Sequence, residues 1–105
     1  MRAIGKGGFV RVEDECVVFV RTGRGKFRHR RYHPATVPFE GVVGVSMREP
    51  RGLTAGRLCV AVYGFAEEEI ARPDYPFCLT YGAWQLTNMR KVEAEIRRRS
   101  AEANA

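Results

Sequence analysis

Apolar and polar positions alternate with period two as far as residue 83 and recur at a spacing near 3.6 beyond it, which predicts a run of strands closed by one helix. Phe9-Val10-Arg11-Val12 reads as a short strand ending in a turn at Glu13-Asp14-Glu15. Cys16-Val17-Val18-Phe19-Val20 is β-branched and apolar on both faces, as a central strand requires. Thr22-Gly23-Arg24-Gly25 marks a turn, after which Phe27, His29 and Arg31 alternate with Arg28, Arg30 and Tyr32 in an extended, partly exposed arm that Pro34 places at a bulge or an edge. Residues 35–38 continue it, and Phe39-Glu40-Gly41 breaks the pattern as a single helical turn. Val43, Val45 and Met47 alternate with Gly44, Ser46 and Arg48 in a strand that Glu49-Pro50-Arg51-Gly52 closes. In the next, Leu58, Val60 and Val62 share one face. Residues 64–75 form a long connection with at most a short strand inside, and residues 76–81 are the last strand.

Leu86, Met89, Val92 and Ile96 then make the apolar stripe of an amphipathic helix expected over 84–100, with Glu93 and Arg97 placed for an i,i+4 pair. Residues 1–8 are expected to be a flexible lead-in, 9–100 a single domain and 101–105 a disordered tail. Val43, Val45, Leu58, Val60, Val62, Phe77, Leu79 and Ile96 should share one core. Six or seven strands and a helix with one apolar face imply a mainly-β, α+β fold. A curved antiparallel sheet or partial barrel capped by the C-terminal helix buries every stripe at once, which is the pleckstrin-homology-like (PH-like) arrangement.

Composition narrows the class. At 105 residues, 45% of them apolar and 29% charged, the chain suits one globular domain with one modest core. It has no run of about 18 apolar residues and no apolar segment near its start, which predicts a cytoplasmic protein. Cys16, Cys59 and Cys78, an odd number at wide spacing in apolar runs, are expected as reduced, buried thiols.

Charge singles out one region. Of a net +6, residues 1–50 carry ten basic and five acidic side chains, and residues 51–105 carry eight and seven. Arg21, Arg24, Lys26, Arg28, Arg30 and Arg31 follow one another without an acidic residue between them, beside His29 and His33. Such a segment attracts phosphates, anionic headgroups or acidic protein surfaces. It equally suits a solvated hairpin edge. These six residues are the candidate binding site.

Catalytic and metal signatures are sparse. His29 and His33 would lie about 13 Å apart along a strand, which is too far to share a metal. The cysteines have no zinc-type spacing, so no metal or cofactor is expected. Gly5-Lys6-Gly7-Gly8 resembles a phosphate loop in composition alone. Trp84 and Tyr81 suit the sealing of a core better than a ligand wall, and Glu67-Glu68-Glu69 suits a solvated loop better than a contact with a second copy's basic arm.

Two segments, Thr36-Val37-Pro38-Phe39-Glu40-Gly41-Val42-Val43-Gly44-Val45 and Glu49-Pro50-Arg51-Gly52-Leu53-Thr54-Ala55-Gly56-Arg57-Leu58, together resemble the actinobacterial domain-of-unknown-function family numbered 4429. Asp74-Tyr75-Pro76-Phe77-Cys78-Leu79-Thr80-Tyr81 is similar to that family's last strand, with Tyr75 and Pro76 in swapped order. Met89-Arg90-Lys91-Val92-Glu93-Ala94-Glu95-Ile96 is similar to its closing helix, with Met89 at the usual aromatic position. The likeness covers roughly residues 9–98 and implies a short bacterial PH-like domain, without catalytic or binding residues to carry over. The expected function is therefore a non-enzymatic module that engages a protein or an anionic membrane surface through the basic arm, or forms a homo-oligomer, with no small-molecule substrate implied. A nucleic-acid-binding protein using the same arm, with Phe27 and Tyr32 stacking on bases, is the alternative. Its remaining aromatics fall on positions that read as internal, which favours the first.

Overall fold

Short β-branched runs joined by tight turns return on themselves as antiparallel strands. The computed structural model describes residues 1–21 and 34–105. Its first sheet contains β1 (Arg2–Gly5), β2 (Gly8–Val12), β3 (Cys16–Arg21) and β4 (Ala35–Pro38), paired in that order. β3 lies between β2 and β4, and its Val17, Val18 and Phe19 are all buried, as a central strand apolar on both faces should be. β1 falls within the segment expected as a lead-in. Its inward positions are the small Ala3 and Gly5 while Ile4 points outward, so the strand carries no apolar stripe to read. Small residues are needed there, because a Cβ on Gly5 would lie 2.5 Å from the Thr80 carbonyl oxygen. Lys6-Gly7 makes the β1–β2 turn, with Gly7 at φ 70°, in the left-handed region that glycine tolerates.

The expected single turn at Phe39–Gly41 leads into a second sheet of β5 (Val42–Arg48), β6 (Gly56–Val62) and β7 (Cys78–Tyr81), ordered β5-β6-β7. The sheets meet where the Lys6 N–H donates to the Thr80 carbonyl at 2.8 Å. The described residues thus form a mainly-β, α+β fold of seven strands in two antiparallel sheets with a C-terminal helix. A bulge between Val42 and Gly44 turns Val42 into the core and leaves Val43 64% exposed. Val43 is therefore not the core residue its alternation predicted. Leu58, Val60, Phe77, Leu79 and Ile96 do share one buried cluster, against which Val45 and Val62 pack half-buried.

The β6–β7 connection contains a short helix, α1 (Glu67–Ile70), where the sequence predicts at most a strand. Three acidic residues in its first turn suit a helix N-terminus, and the Glu69 carboxylate accepts the Ala66 N–H at 3.1 Å. Beyond it the chain folds back on the sheet. Phe65, Tyr75 and Phe77 pack edge to face with centroids 5.3 to 6.0 Å apart, and the Tyr75 hydroxyl donates to the Val60 carbonyl at 2.6 Å.

The cysteine expectation needs correction. Cys59 and Cys78 stand directly opposite one another in the β6–β7 ladder, Cα atoms 4.2 Å apart, and are joined in a disulfide, leaving Cys16 as the free cysteine. Their 19-residue separation hides what the antiparallel register creates.

A 3-10 turn at Ala83–Gln85, whose Gln85 side chain accepts the Gly82 N–H at 2.8 Å, opens α2 (Leu86–Ala103). Met89, Val92 and Ile96 are buried and Leu86 is half-buried, as the stripe predicts, and the helix lies against β1, β2, β5 and the Phe39–Gly41 turn. The helix runs on to Ala103, three residues past the expected end. Its last turn is anchored, since the Asn104 side chain donates to the Phe39 carbonyl at 3.2 Å and to the Ser100 carbonyl at 2.8 Å.

Candidate functional site

Strand ends from both sheets bring basic side chains together. Lys6 occupies the β1–β2 turn, Arg21 ends β3, Arg48 ends β5, and Arg57 stands beside Arg48 across the β5–β6 ladder. With Gly7, Cys78, Leu79 and Thr80, and Ala71 and Pro73 from the β6–β7 connection, they line a pocket of about 370 Å³. Among the described residues, cations and small or apolar residues line it, and no carboxylate does.

Backbone carbonyls hold the arginines in place. The Arg21 Nη2 donates to the carbonyls of Tyr75 at 2.8 Å and Cys78 at 3.2 Å, and the Arg57 Nη2 to those of Arg72 at 2.8 Å and Ile70 at 3.2 Å. Both thereby tie the connection down while keeping their charge. The exposed Arg48 donates through Nη2 to the Ala55 carbonyl at 3.1 Å, and the Lys6 ammonium lies 5.6 Å from the Trp84 ring centroid. Burial, then the neighbouring guanidiniums of Arg48 and Arg21, push the Arg57 guanidinium below its ordinary value. Burial also lowers that of Arg21, against the opposing pull of Asp74.

A second concavity, of about 490 Å³, lies between the end of α2 and the β2–β3 turn, lined by Asp14, Glu15, Glu40 and Glu102 as well as Arg98 and Arg99. Its cations are matched. Arg98 pairs with Glu95 at 2.6 Å and Glu102 at 2.8 Å, and the Arg99 Nε with Glu95 at 2.6 Å. Bonds from Arg98 and Arg99 pull the Glu95 carboxyl down to about 2. Arg99 also donates to the carbonyls of Glu13 and Asp14.

Of the basic residues singled out in the sequence, Arg21 lines the first pocket, and Arg24, Lys26, Arg28, Arg30 and Arg31 lie outside the described residues, as do His29 and His33. Lys6, Arg48 and Arg57 were missed. Lys6 was hidden in an apparent lead-in. Arg48 and Arg57 could have been found, because a hairpin about Gly52 sets them side by side. Trp84 does not seal the core: it is 77% exposed, its ring resting over Gly82, where a Cβ would come within 2.4 Å of it. Tyr81 is fully buried and donates to the Arg48 carbonyl at 2.9 Å. Among the described residues, no cluster of three His, Cys, Asp or Glu could hold a metal ion, and no helix is long and apolar enough to cross a membrane. No known protein family, curated protein or solved structure matches the chain.

Proposed function

We propose that the chain is a PH-like, non-enzymatic binding module that engages an anionic surface, on a protein or a membrane, through its basic segment from Arg21 to Arg31. Four strands, then three, then a helix laid against β1, β2 and β5 is the order such a module needs, and the likeness to the actinobacterial family points the same way. One observation carries the anionic reading. Lys6, Arg21, Arg48 and Arg57 meet around one pocket without a lining carboxylate, where β3 ends and the chain enters the basic segment. Such a field adds to that of Arg24, Lys26, Arg28, Arg30 and Arg31 and steers an anionic partner to this side of the molecule.

Binding to anionic vesicles and to an acidic protein, set against neutral vesicles and a single-stranded oligonucleotide, tests this. Charge reversal at Arg28, Arg30 and Arg31 should abolish binding to the anionic surfaces with little change in thermal midpoint, and binding should fall steeply from roughly 50 to 200 mM salt. Full affinity in the triple variant would refute the reading. Tight binding to the oligonucleotide alone would replace it with nucleic-acid recognition.

A further inference from the structure

The anionic-surface reading names a sign of charge but no ligand, and the pocket beside the basic segment is more specific. We propose that Lys6, Arg21, Arg48 and Arg57 form a receptor for a compact phosphomonoester group, deepening the function proposed above and resting on it.

Size comes first. A pocket of about 370 Å³ falls at the small end of the range that takes small ligands, which suits a phosphate head and not a helix or a duplex. Charge comes second. Four basic residues contribute to the lining, Asp74 acts on Arg21, and among the described residues no carboxylate lines the walls. A phosphodiester brings a single negative charge, whereas a monoester brings about 1.5 to 2 and matches the surplus better. Donor geometry comes third. The bonds of Arg48 and Arg57 run through Nη2 alone, so each keeps further N–H groups of its planar fork for phosphate oxygens.

Preorganisation favours the same ligand. Arg21 and Arg57 are each held on two carbonyls, so little side-chain freedom remains to be lost when an anion arrives. Ala71, Pro73, Leu79 and the disulfide-bonded Cys78 supply low-dielectric walls that strengthen the field. Among the described residues the walls offer no carboxylate or imidazole to act as a base, and Cys78 is not a thiol.

Calorimetric titration of the full chain with pyrophosphate, a soluble probe of the same charge density, provides the test. The expected result is saturable binding, weakened roughly tenfold by Arg48→Gln and by Lys6→Gln, each of which removes one charge-assisted contact. Both side chains are exposed and folding should survive; if Arg48→Gln lowers the thermal midpoint, Lys6→Gln decides alone. No saturable binding, or an affinity unchanged by the folded variants, overturns the proposal. Phosphatidylcholine vesicles with and without phosphatidic acid separate the sources. Capture that depends on Lys6 and Arg48 assigns a lipid headgroup, and binding of pyrophosphate alone assigns a soluble phosphate. The module reading fails on different variants, through vesicle binding that survives charge reversal at Arg28, Arg30 and Arg31, so the two failures are distinguishable.

Discussion

Arg57 and Arg98 both stand at the rim of a concavity, yet Arg57 donates to two backbone carbonyls and Arg98 to two carboxylates. A carbonyl fixes a guanidinium without cancelling its charge, whereas a carboxylate fixes it and removes most of its field. The pocket around Arg57 therefore projects positive potential, and the groove around Arg98 projects little. Counting charges along the chain suggests the reverse weighting. Residues 51–105 carry eight basic and seven acidic side chains and read as balanced, but the acids concentrate on α1 and α2 and leave Arg57 unmatched.

The largest effect expected from this contrast concerns what lies beneath each concavity. Leu79 lines the cationic pocket and is also 4% exposed within the core, so Leu79→Ala should cost about 2 to 4 kcal/mol by opening a cavity in a small core. Glu40→Ala, on the exposed rim of the groove, should change stability by less than about 0.5 kcal/mol. Urea unfolding of the two variants measures both, and equal losses would mean that the pocket floor is not core.

Next comes the disulfide at that floor. Closing a 19-residue span should stabilise the fold by about 3 kcal/mol through the lost freedom of the unfolded chain. Reduction should lower the unfolding midpoint of the wild type and of Cys16→Ser alike, and should leave Cys59→Ala/Cys78→Ala unaffected. Identical wild-type stability with and without reductant would show that the bond contributes nothing.

Tyr75 links pocket wall to core, its carbonyl held by Arg21 and its hydroxyl bonded to the Val60 carbonyl and the Val62 N–H. Burial pushes its phenol from 10.0 up to about 12. The unfolded chain then releases this proton before the folded one does, so stability is intact below pH 10 and falls as pH rises towards about 12. Tyr75→Phe should cost about 1 kcal/mol at neutral pH and flatten the alkaline limb. Chemical denaturation at a series of alkaline pH values measures this, and an unchanged limb in the variant would assign the loss elsewhere.

Sequence patterning revealed what depends on periodicity. The α2 stripe through Met89, Val92 and Ile96 follows from a run long enough to show a period, β3 from a β-branched run apolar on both faces, and the Phe39–Gly41 turn from a break in the alternation. It failed where close approach replaces hydrophobicity. β1 turns the small Ala3 and Gly5 inward, with β7 passing too near Gly5 for any side chain, and no apolar stripe records that. Val43 left the core through a single bulge, which shifts the facing of a strand without altering its composition. Pairings across strands were hidden for a related reason. The Cys59–Cys78 bond and the Arg48–Arg57 contact exist only once register is fixed, and register is a property of two segments together. Arg21 was legible because six basic residues in eleven stand out in one dimension, whereas Lys6 and Arg57 join it only in three.

The smallest expected effect lies in the groove and tests whether carboxylates really silence its arginines. Glu95 accepts from both Arg98 and Arg99, and those bonds hold its carboxyl at about 2 against an ordinary 4.5. A depressed carboxyl stabilises the fold above its unfolded value, and this contribution fades as pH falls from about 4.5 towards about 2. Arg98 is exposed and Glu95 and Arg99 are half-buried at the surface, so the effect is small and screened by salt. Glu95→Gln should lower the thermal midpoint slightly at neutral pH, and the gap from wild type should close as pH approaches 2 or as salt approaches about 1 M. Removing that negative charge also leaves Arg99 with neutral partners, the carbonyls of Glu13 and Asp14 and the Phe39 ring, the kind of partner that leaves Arg57 charged. Glu95→Gln should therefore give the groove a weak, salt-sensitive response to pyrophosphate that the wild-type groove lacks, visible as amide shifts near Arg98 and Arg99. A midpoint gap that persists at pH 2, or a groove that stays silent to the anion, would mean that geometry rather than charge matching separates the two concavities.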